Sequence, residues 1–233
     1  MLKKIKNYFT PFEIGLWTSS VALIILSFLI FDRESALTLI ASLLGVTSLL
    51  FNAKGNPIGQ VLIIIFSLLY GFISWGFSYY GEMVTYLGMS APMALCALIS
   101  WLKNPYKGDR TQVKVNSLQK KEWLFLCVLA TLVIALFYWV LKAFGTSNLI
   151  WSTVSVTTSF FAAYLTFRRS AYFALAYATN DVVLIALWAF AATTDISYVS
   201  VIVCFITFLV SDLYGFFSWI KMGKRQNAGL DGN

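Results

Sequence analysis

A succession of long apolar runs constrains this chain more than any other feature. Each run is about 17–25 residues, the length a helix needs to cross roughly 30 Å of hydrocarbon. The runs fall at about Ile14–Phe31, Ser35–Phe51, Ile58–Phe77, Met83–Leu102, Glu122–Ala143, Asn148–Phe167, Ala171–Ala192 and Ile196–Ile220. A soluble core helix would show a polar stripe at helical spacing, and these runs mostly do not. Barrel strands would alternate over about ten residues. Only helices and closed barrels satisfy every backbone group in lipid. The chain is therefore expected to be an all-α integral membrane protein with eight transmembrane helices. Composition agrees, since 59% of the 233 residues are hydrophobic and only 12% are charged, outside the range of soluble domains.

Charge predicts the orientation. Fifteen of the seventeen lysines and arginines belong to the N-terminus, the even-to-odd loops and the C-terminus, leaving Arg33 and Lys142 at the opposite ends. By the positive-inside rule both termini are cytoplasmic. The basic start MLKKIKNYFTPFE meets an apolar run with no small-residue cleavage site, so a retained helix is expected. The net charge of +7 thus reports topology, and no nucleic-acid partner is expected. The basic loop Lys103–Lys121 suits anionic lipid. The tail GKRQNAGLDGN reads as disordered.

The chain repeats itself. Spans two to four and six to eight each offer a helix, a short basic loop (Asn52–Pro57; Arg168-Arg169), an aromatic-rich helix, an acidic outer turn (Glu82; Asp195) and a third helix. Both third helices close alike, Ser100-Trp101-Leu102-Lys103 and Ser218-Trp219-Ile220-Lys221. Corresponding spans are four apart, so the copies run parallel, with span five as the linker. The plan is 1+3+1+3: an N-terminal segment with an extra helix (1–33), a first three-helix bundle (34–103), a basic loop and linker helix (104–146), a second bundle (147–223) and a tail (224–233). Parallel three-helix repeats joined by a helix are the SWEET-like plan, with substrate near the midplane between repeats.

Buried ionisable groups cost about 2.5–3.5 kcal/mol each on insertion into a membrane and mark function. Asp181, beside Asn180, and Asp212 are the candidates, each weighed against a satisfied structural carboxylate. Glu82 and Asp195 sit at outer helix starts, where a carboxylate suits the positive helix end. Tyr70, Tyr177 and Trp188 sit deep, where a polar-tipped aromatic needs a partner or a ligand. Trp151, Tyr79 and Tyr198 read as interfacial anchors, and Trp101 and Trp219 as either anchors or an inner gate. With no histidine, and with Cys96, Cys127 and Cys204 lacking metal spacing, no metal site is expected. No enzyme motif or cofactor motif is found. An aromatic pocket with amides and carboxylates suits a flat polar molecule, especially a delocalised cation.

Several residues carry a resemblance. Glu34, Leu44-Gly45-Val46, Asn56, Tyr70 and Tyr80-Gly81-Glu82-Met83, then Asp181-Val182-Val183, Tyr214-Gly215 and Trp219, resemble the PnuC nicotinamide riboside transporters over about residues 34–221. The resemblance implies a passive carrier of nicotinamide riboside (vitamin B3) in the bacterial inner membrane. It also implies a SWEET-like fold, a homotrimer and a separate cytosolic riboside kinase downstream. Tyr177 stands where the family often has Trp, and Asp212 where it often has Asn, which points also to a related solute such as thiamine. The substrate contacts expected are Gln60, Tyr70, Tyr86, Tyr177, Asn180, Asp181, Trp188, Asp212 and Tyr214, with Trp75, Glu82, Trp101 and Trp219 as gate or rim. A carrier of thiamine or sugar, and a non-transporting membrane receptor of the same fold, are the alternatives.

Overall fold

A computed structural model describes residues 8–33, 35–76, 80–146 and 148–229, without the side chains of Tyr80 and Glu82. Glu34, Phe77 and Tyr79 lie outside the described residues, as does the side chain of Glu82 that the rim expectation needs. Among the described residues, eight helices are long and apolar enough to cross a membrane, as the apolar runs require. The protein is an all-α integral membrane protein.

Helix α1 spans Pro11–Phe31 and starts three residues before the apolar run. The reason is a capping box. The Thr10 hydroxyl accepts from the Glu13 N–H at 3.2 Å, and the Glu13 carboxylate accepts from the Thr10 N–H at 2.7 Å, with Pro11 in the first turn where its missing donor costs nothing. Helices α2 (Ala36–Ala53) and α3 (Ile58–Gly76) follow. The fourth span is broken into α4 (Tyr80–Thr85), a π-helical turn (Tyr86–Ser90) and α5 (Ala91–Lys103). Pro92 explains the break. Its ring and missing N–H disrupt the ladder one turn earlier, and the Ala91 N–H reaches back to the Tyr86 carbonyl instead.

The basic loop is more ordered than a loop of its composition predicts. Strands β1 (Pro105–Tyr106) and β2 (Asp109–Val113) pair antiparallel. Lys107 and Gly108 both have positive φ, 48° and 83°, which suits a two-residue hairpin turn. Helices α6 (Lys120–Ala143), α7 (Leu149–Phe167) and α8 (Tyr172–Ala192), a 3₁₀ turn (Ile196–Tyr198) and α9 (Val199–Asn227) complete the chain. Helix α9 runs past Ile220 through much of the tail expected to be disordered. The Gln226 side chain accepts from the Val115 N–H at 2.8 Å and donates to the Val113 carbonyl at 3.1 Å, tying the helix end to the hairpin. Residues 230–233 lie outside the described ones.

The α2–α3 and α7–α8 junctions match residue for residue. Gly55 and Arg169 occupy the same left-handed position, at φ 67° and 57°. Asn56 Oδ1 caps the Ile58 N–H as Ser170 Oγ caps the Tyr172 N–H. The ends of α5 and α9 match too, and each reaches a helix far from it in sequence. Trp101 Nε1–H donates to the Thr166 carbonyl of α7 at 2.9 Å, and Trp219 Nε1–H to the Asn52 carbonyl of α2 at 2.7 Å. Their neighbours repeat the exchange: Ser100 Oγ donates to the Phe167 carbonyl and Ser218 Oγ to the Ala53 carbonyl, both at 2.8 Å. These four bonds fall on carbonyls of the last turns of α2 and α7, which lack an i→i−4 helical donor; the Asn52 and Thr166 carbonyls also accept from the Gly55 and Arg169 N–H, each at 2.9 Å. The two indoles meet at 5.3 Å, with Phe173 edge-on to Trp219 at 4.8 Å.

Helix α1 docks through charge. The Glu13 carboxylate, 1% exposed, accepts from Tyr214 Oη at 2.7 Å and pairs with Lys54 Nζ at 3.2 Å. Removing it would strand a largely buried lysine and an unpaired hydroxyl. Glu13→Ala is expected to lower stability by about 2 kcal/mol, read as an earlier thermal unfolding of the detergent-purified chain. Glu13→Gln, which still accepts from Tyr214, should lose less. Equal loss in both would show that hydrogen bonding there is irrelevant.

Candidate functional site

A cavity of about 640 Å³ opens among α2, α3, α7, α8 and α9. Helix α8 supplies Tyr177, Asn180, Asp181, Leu184 and Trp188, whose steps of three, four and seven place them on one face. Helix α3 adds Gln60, Ile63, Phe66 and Ser67 by the same spacing, and α9 adds Phe205, Phe208 and Asp212. Tyr86 comes from the π-helical turn. At one end the wall is built from Gly81, Thr146, Asn148, Thr194 and Tyr198, which lie at or beside the helix ends away from the basic loops. At the other end stand Asn52 and Gln60. Gln60 Nε2–H donates to Asn52 Oδ1 at 2.8 Å, while the Asn52 carbonyl receives Trp219. One asparagine thus joins the cavity floor to the indole pair beneath it. Gly59 allows this approach, since a Cβ there would lie 2.2 Å from Asn52 Oδ1.

The polar chemistry is concentrated on α8 and α9. Asn180 Oδ1 accepts from Thr158 Oγ1 at 2.7 Å and from Ser155 Oγ at 3.3 Å. Its acceptor is thereby used, and its NH₂ donors are what it offers a ligand. Asp181 and Asp212 are each 4% exposed, and their carboxyl groups meet within hydrogen-bonding range. Asp181 Oδ2 and, across the cavity, Ser67 Oγ are buried without a partner. Thr146 Oγ1, at the end away from the basic loops, is a third; unpaired buried polar atoms are costly, so a cavity that carries three of them is built to receive something. Among the described residues, no lysine or arginine lines the cavity. The apolar wall is aromatic: Trp188 packs on Tyr198 at 5.2 Å, and Phe66 on Tyr86 at 5.9 Å and Phe208 at 6.3 Å.

Seven of the expected contacts therefore converge: Gln60, Tyr86, Tyr177, Asn180, Asp181, Trp188 and Asp212. Two do not. Tyr214 is two residues from Asp212, about 200° around the helix, so it faces α1 and bonds Glu13. Tyr70 packs behind the wall, 4.8 Å from Tyr86 and 5.4 Å from Phe66. Among the rim expectations, Trp75 is 59% exposed and meets Phe72 edge-on at 6.2 Å, on an outward face away from the cavity. Trp101 and Trp219 are not surface anchors, being 1% and 0% exposed. Tyr198, expected as an anchor, lines the cavity instead. Asp195 caps the 3₁₀ turn through the Ser197 N–H at 2.9 Å, and that bond holds its carboxyl below the usual range. Asn52, Ser67 and the serines of α7 were not legible as site residues. Nothing in a lone serine or a helix-terminal asparagine distinguishes a cavity from a helix contact, although the matched junctions would have paired Ser67 with Asp181.

The comparisons with known proteins agree on one family. A family model described as nicotinamide mononucleotide transporter matches residues 35–221. The chain is 24% identical over 225 residues to the nicotinamide riboside transporter PnuC of Neisseria mucosa, covering 92% of this chain and 86% of that one. It is 25% identical over 218 residues to the nicotinamide riboside transporter PnuC of Haemophilus influenzae, covering 93% of each. The crystal structure of a vitamin B3 transporter PnuC superimposes with a TM-score of 0.80 at 22% identity, over 94% of both chains.

Proposed function

Because this chain belongs to the nicotinamide mononucleotide transporter family, whose model matches most of its length, we propose that it carries nicotinamide riboside across a bacterial inner membrane. One observation carries the choice of riboside over mononucleotide. Among the described residues, the cavity is lined by two carboxylates and no lysine or arginine. A phosphate would be repelled there and would find no cation to pair with. A riboside has no phosphate, and its pyridinium ring is a flat cation that suits carboxylates and aromatic faces.

The residues have distinct roles in this reading. Trp188 and Tyr177 flank the ring. Asn180 donates to the carboxamide or a ribose hydroxyl, and Gln60 and Ser67 serve the hydroxyls. The basic face is cytoplasmic, by the charge bias. Helices α2 to α5 and α7 to α9 act as two parallel three-helix repeats, with α1 outside them and α6 as linker. Transport follows when the repeats rock about the cavity, which requires the reciprocal bonds of Trp101 and Trp219 to part. No chemical step is needed, and the movement is facilitated diffusion, drained by phosphorylation of the riboside inside the cell. Assembly as a homotrimer belongs to the same reading, and native mass spectrometry in detergent would test it.

The decisive experiment is counterflow in proteoliposomes. Vesicles loaded with unlabelled riboside should accumulate labelled riboside transiently, and unlabelled mononucleotide inside should not support this. Binding without exchange would identify a receptor and overturn the reading. Exchange of the mononucleotide at an equal rate would overturn the choice of substrate.

A further inference from the structure

At the basic face one stretch of backbone, residues 113–116 on the way from β2 to α6, ties together helix ends that are far apart in sequence. The Lys114 N–H donates to the Asn104 carbonyl beyond α5, and the Asn116 N–H to the Arg169 carbonyl at the α7–α8 junction, both at 2.9 Å. Asn116 Nδ2–H adds a bond to the Arg168 carbonyl at 3.1 Å, and the Val115 N–H reaches the Gln226 side chain of α9 at 2.8 Å. Val113 is 0% exposed and shares a buried cluster with Trp101, Trp219 and Met222, against which Val115 and Leu118 also pack. The stretch is thus a strap seated against the indole pair that closes this end of the cavity.

The two matched junctions meet the strap in different ways. Arg169 grips it with a side chain. Its Nε–H donates to the Lys114 carbonyl at 3.2 Å and its Nη1–H to Ser100 Oγ of α5 at 2.8 Å. A side chain at φ 57° is strained and persists where its surroundings hold it, as these bonds do. At the other junction the same left-handed position is Gly55, and the strap lies against bare backbone. The Val113 N–H donates to the Gly55 carbonyl at 2.9 Å, and a Cβ on Gly55 would fall 3.3 Å from Val113 Cγ1. One junction grips the strap, and the other only supports it.

From this asymmetry we infer that the strap is the latch of the basic face, with Arg169 as its clasp. It stays with the α7–α8 junction and the end of α9, and it comes away from Gly55, as Arg169 releases Ser100, each time the cavity opens to that side. The latch changes the rate of passage in both directions and consumes nothing, so the end point of facilitated diffusion is unaltered. It presupposes the rocking of the repeats proposed above and is independent of which solute crosses.

Labelling with a membrane-impermeant maleimide tests the clasp, in inverted and right-side-out vesicles holding the full chain without its three native cysteines. Arg169→Gly gives this junction the residue that the other one has and relieves the left-handed position, while deleting both side-chain bonds. In an Asn52→Cys background it should speed labelling from the basic face about tenfold, the shift in an opening equilibrium that one charge-assisted hydrogen bond is worth. In a Thr194→Cys background, at the other end of the cavity, labelling from the opposite face should not rise. Unchanged labelling at position 52, or a rise at both positions, would overturn the latch. Asn116→Ala, which drops the bond to Arg168, serves if Arg169→Gly does not fold.

Two cross-links then separate the sides of the strap. A Cβ on Gly223 would lie 3.8 Å from that of Val115, the usual span of a disulfide. Val115→Cys with Gly223→Cys therefore fixes the strap to α9 and should leave riboside counterflow nearly unchanged. Val113→Cys with Gly55→Cys fixes it to the α2–α3 junction and should stop counterflow until a reductant is added. Equal effects of the two disulfides would overturn the latch. Wild-type vesicles that exchange no riboside, with the labelling pattern as expected, would instead remove the substrate reading and leave the latch standing.

Discussion

Replacing Trp219 with alanine is expected to remove about 3–5 kcal/mol of stability, the usual cost of emptying a tryptophan-sized core site. Few side chains in the protein are as enclosed, at 0% exposure. Its indole packs on Trp101 and Phe173, and its N–H donates to the Asn52 carbonyl of α2. The loss should show as a markedly earlier thermal transition in detergent. Phe217, two residues earlier on the same helix but 67% exposed, supplies the control, since Phe217→Ala should change stability little. Equal transitions for the two variants would remove the indole pair from any structural role. Trp219→Phe is the subtler probe. It keeps a ring and deletes one bond worth about 1 kcal/mol, so the chain should fold while the basic-face end opens more readily. A cysteine placed at Asn52 in a background lacking the three native cysteines would then label faster from the basic face.

The second large effect is on binding. Trp188→Ala should weaken nicotinamide riboside binding by up to about 30-fold, which corresponds to about 2 kcal/mol for a desolvated cation–aromatic contact. Asn180→Ala should weaken it by about tenfold, the worth of one or two directed hydrogen bonds. The fold should tolerate the asparagine change. Thr158 keeps its bonds to the Val154 and Ser155 carbonyls within α7 when Asn180 is gone. Calorimetry on both variants decides the matter: unchanged affinity in both would place the substrate elsewhere in the protein.

Proximity along one helix was legible without the structure, because a helix repeats every 3.6 residues. The spacing of Tyr177, Asn180, Asp181 and Trp188 already put them on overlapping faces, and all four line the cavity. The same rule separates two of the expected contacts on α9, since two residues of helix turn Tyr214 almost opposite Asp212, toward Glu13. Proximity between helices was not legible. No pattern in the sequence tells that Asp181 meets Asp212, that Asn52 joins Gln60 to Trp219, or that Gln226 holds the hairpin of the basic loop.

The sequence by itself determined that the chain lies in a membrane as eight helices, because hydrocarbon leaves the backbone no other way to pair its donors and acceptors. It also displayed the doubled Ser-Trp ending and the membrane-depth carboxylates, since both are local and costly enough to stand out against an apolar background. The tertiary structure alone decided what those features do. Trp101 and Trp219 each reach across to the end of a helix distant in sequence, and the two carboxylates line one cavity. Both outcomes depend on how helices pack side by side, and packing is set by contacts between residues that can be more than a hundred positions apart, as Asn52 and Trp219 are.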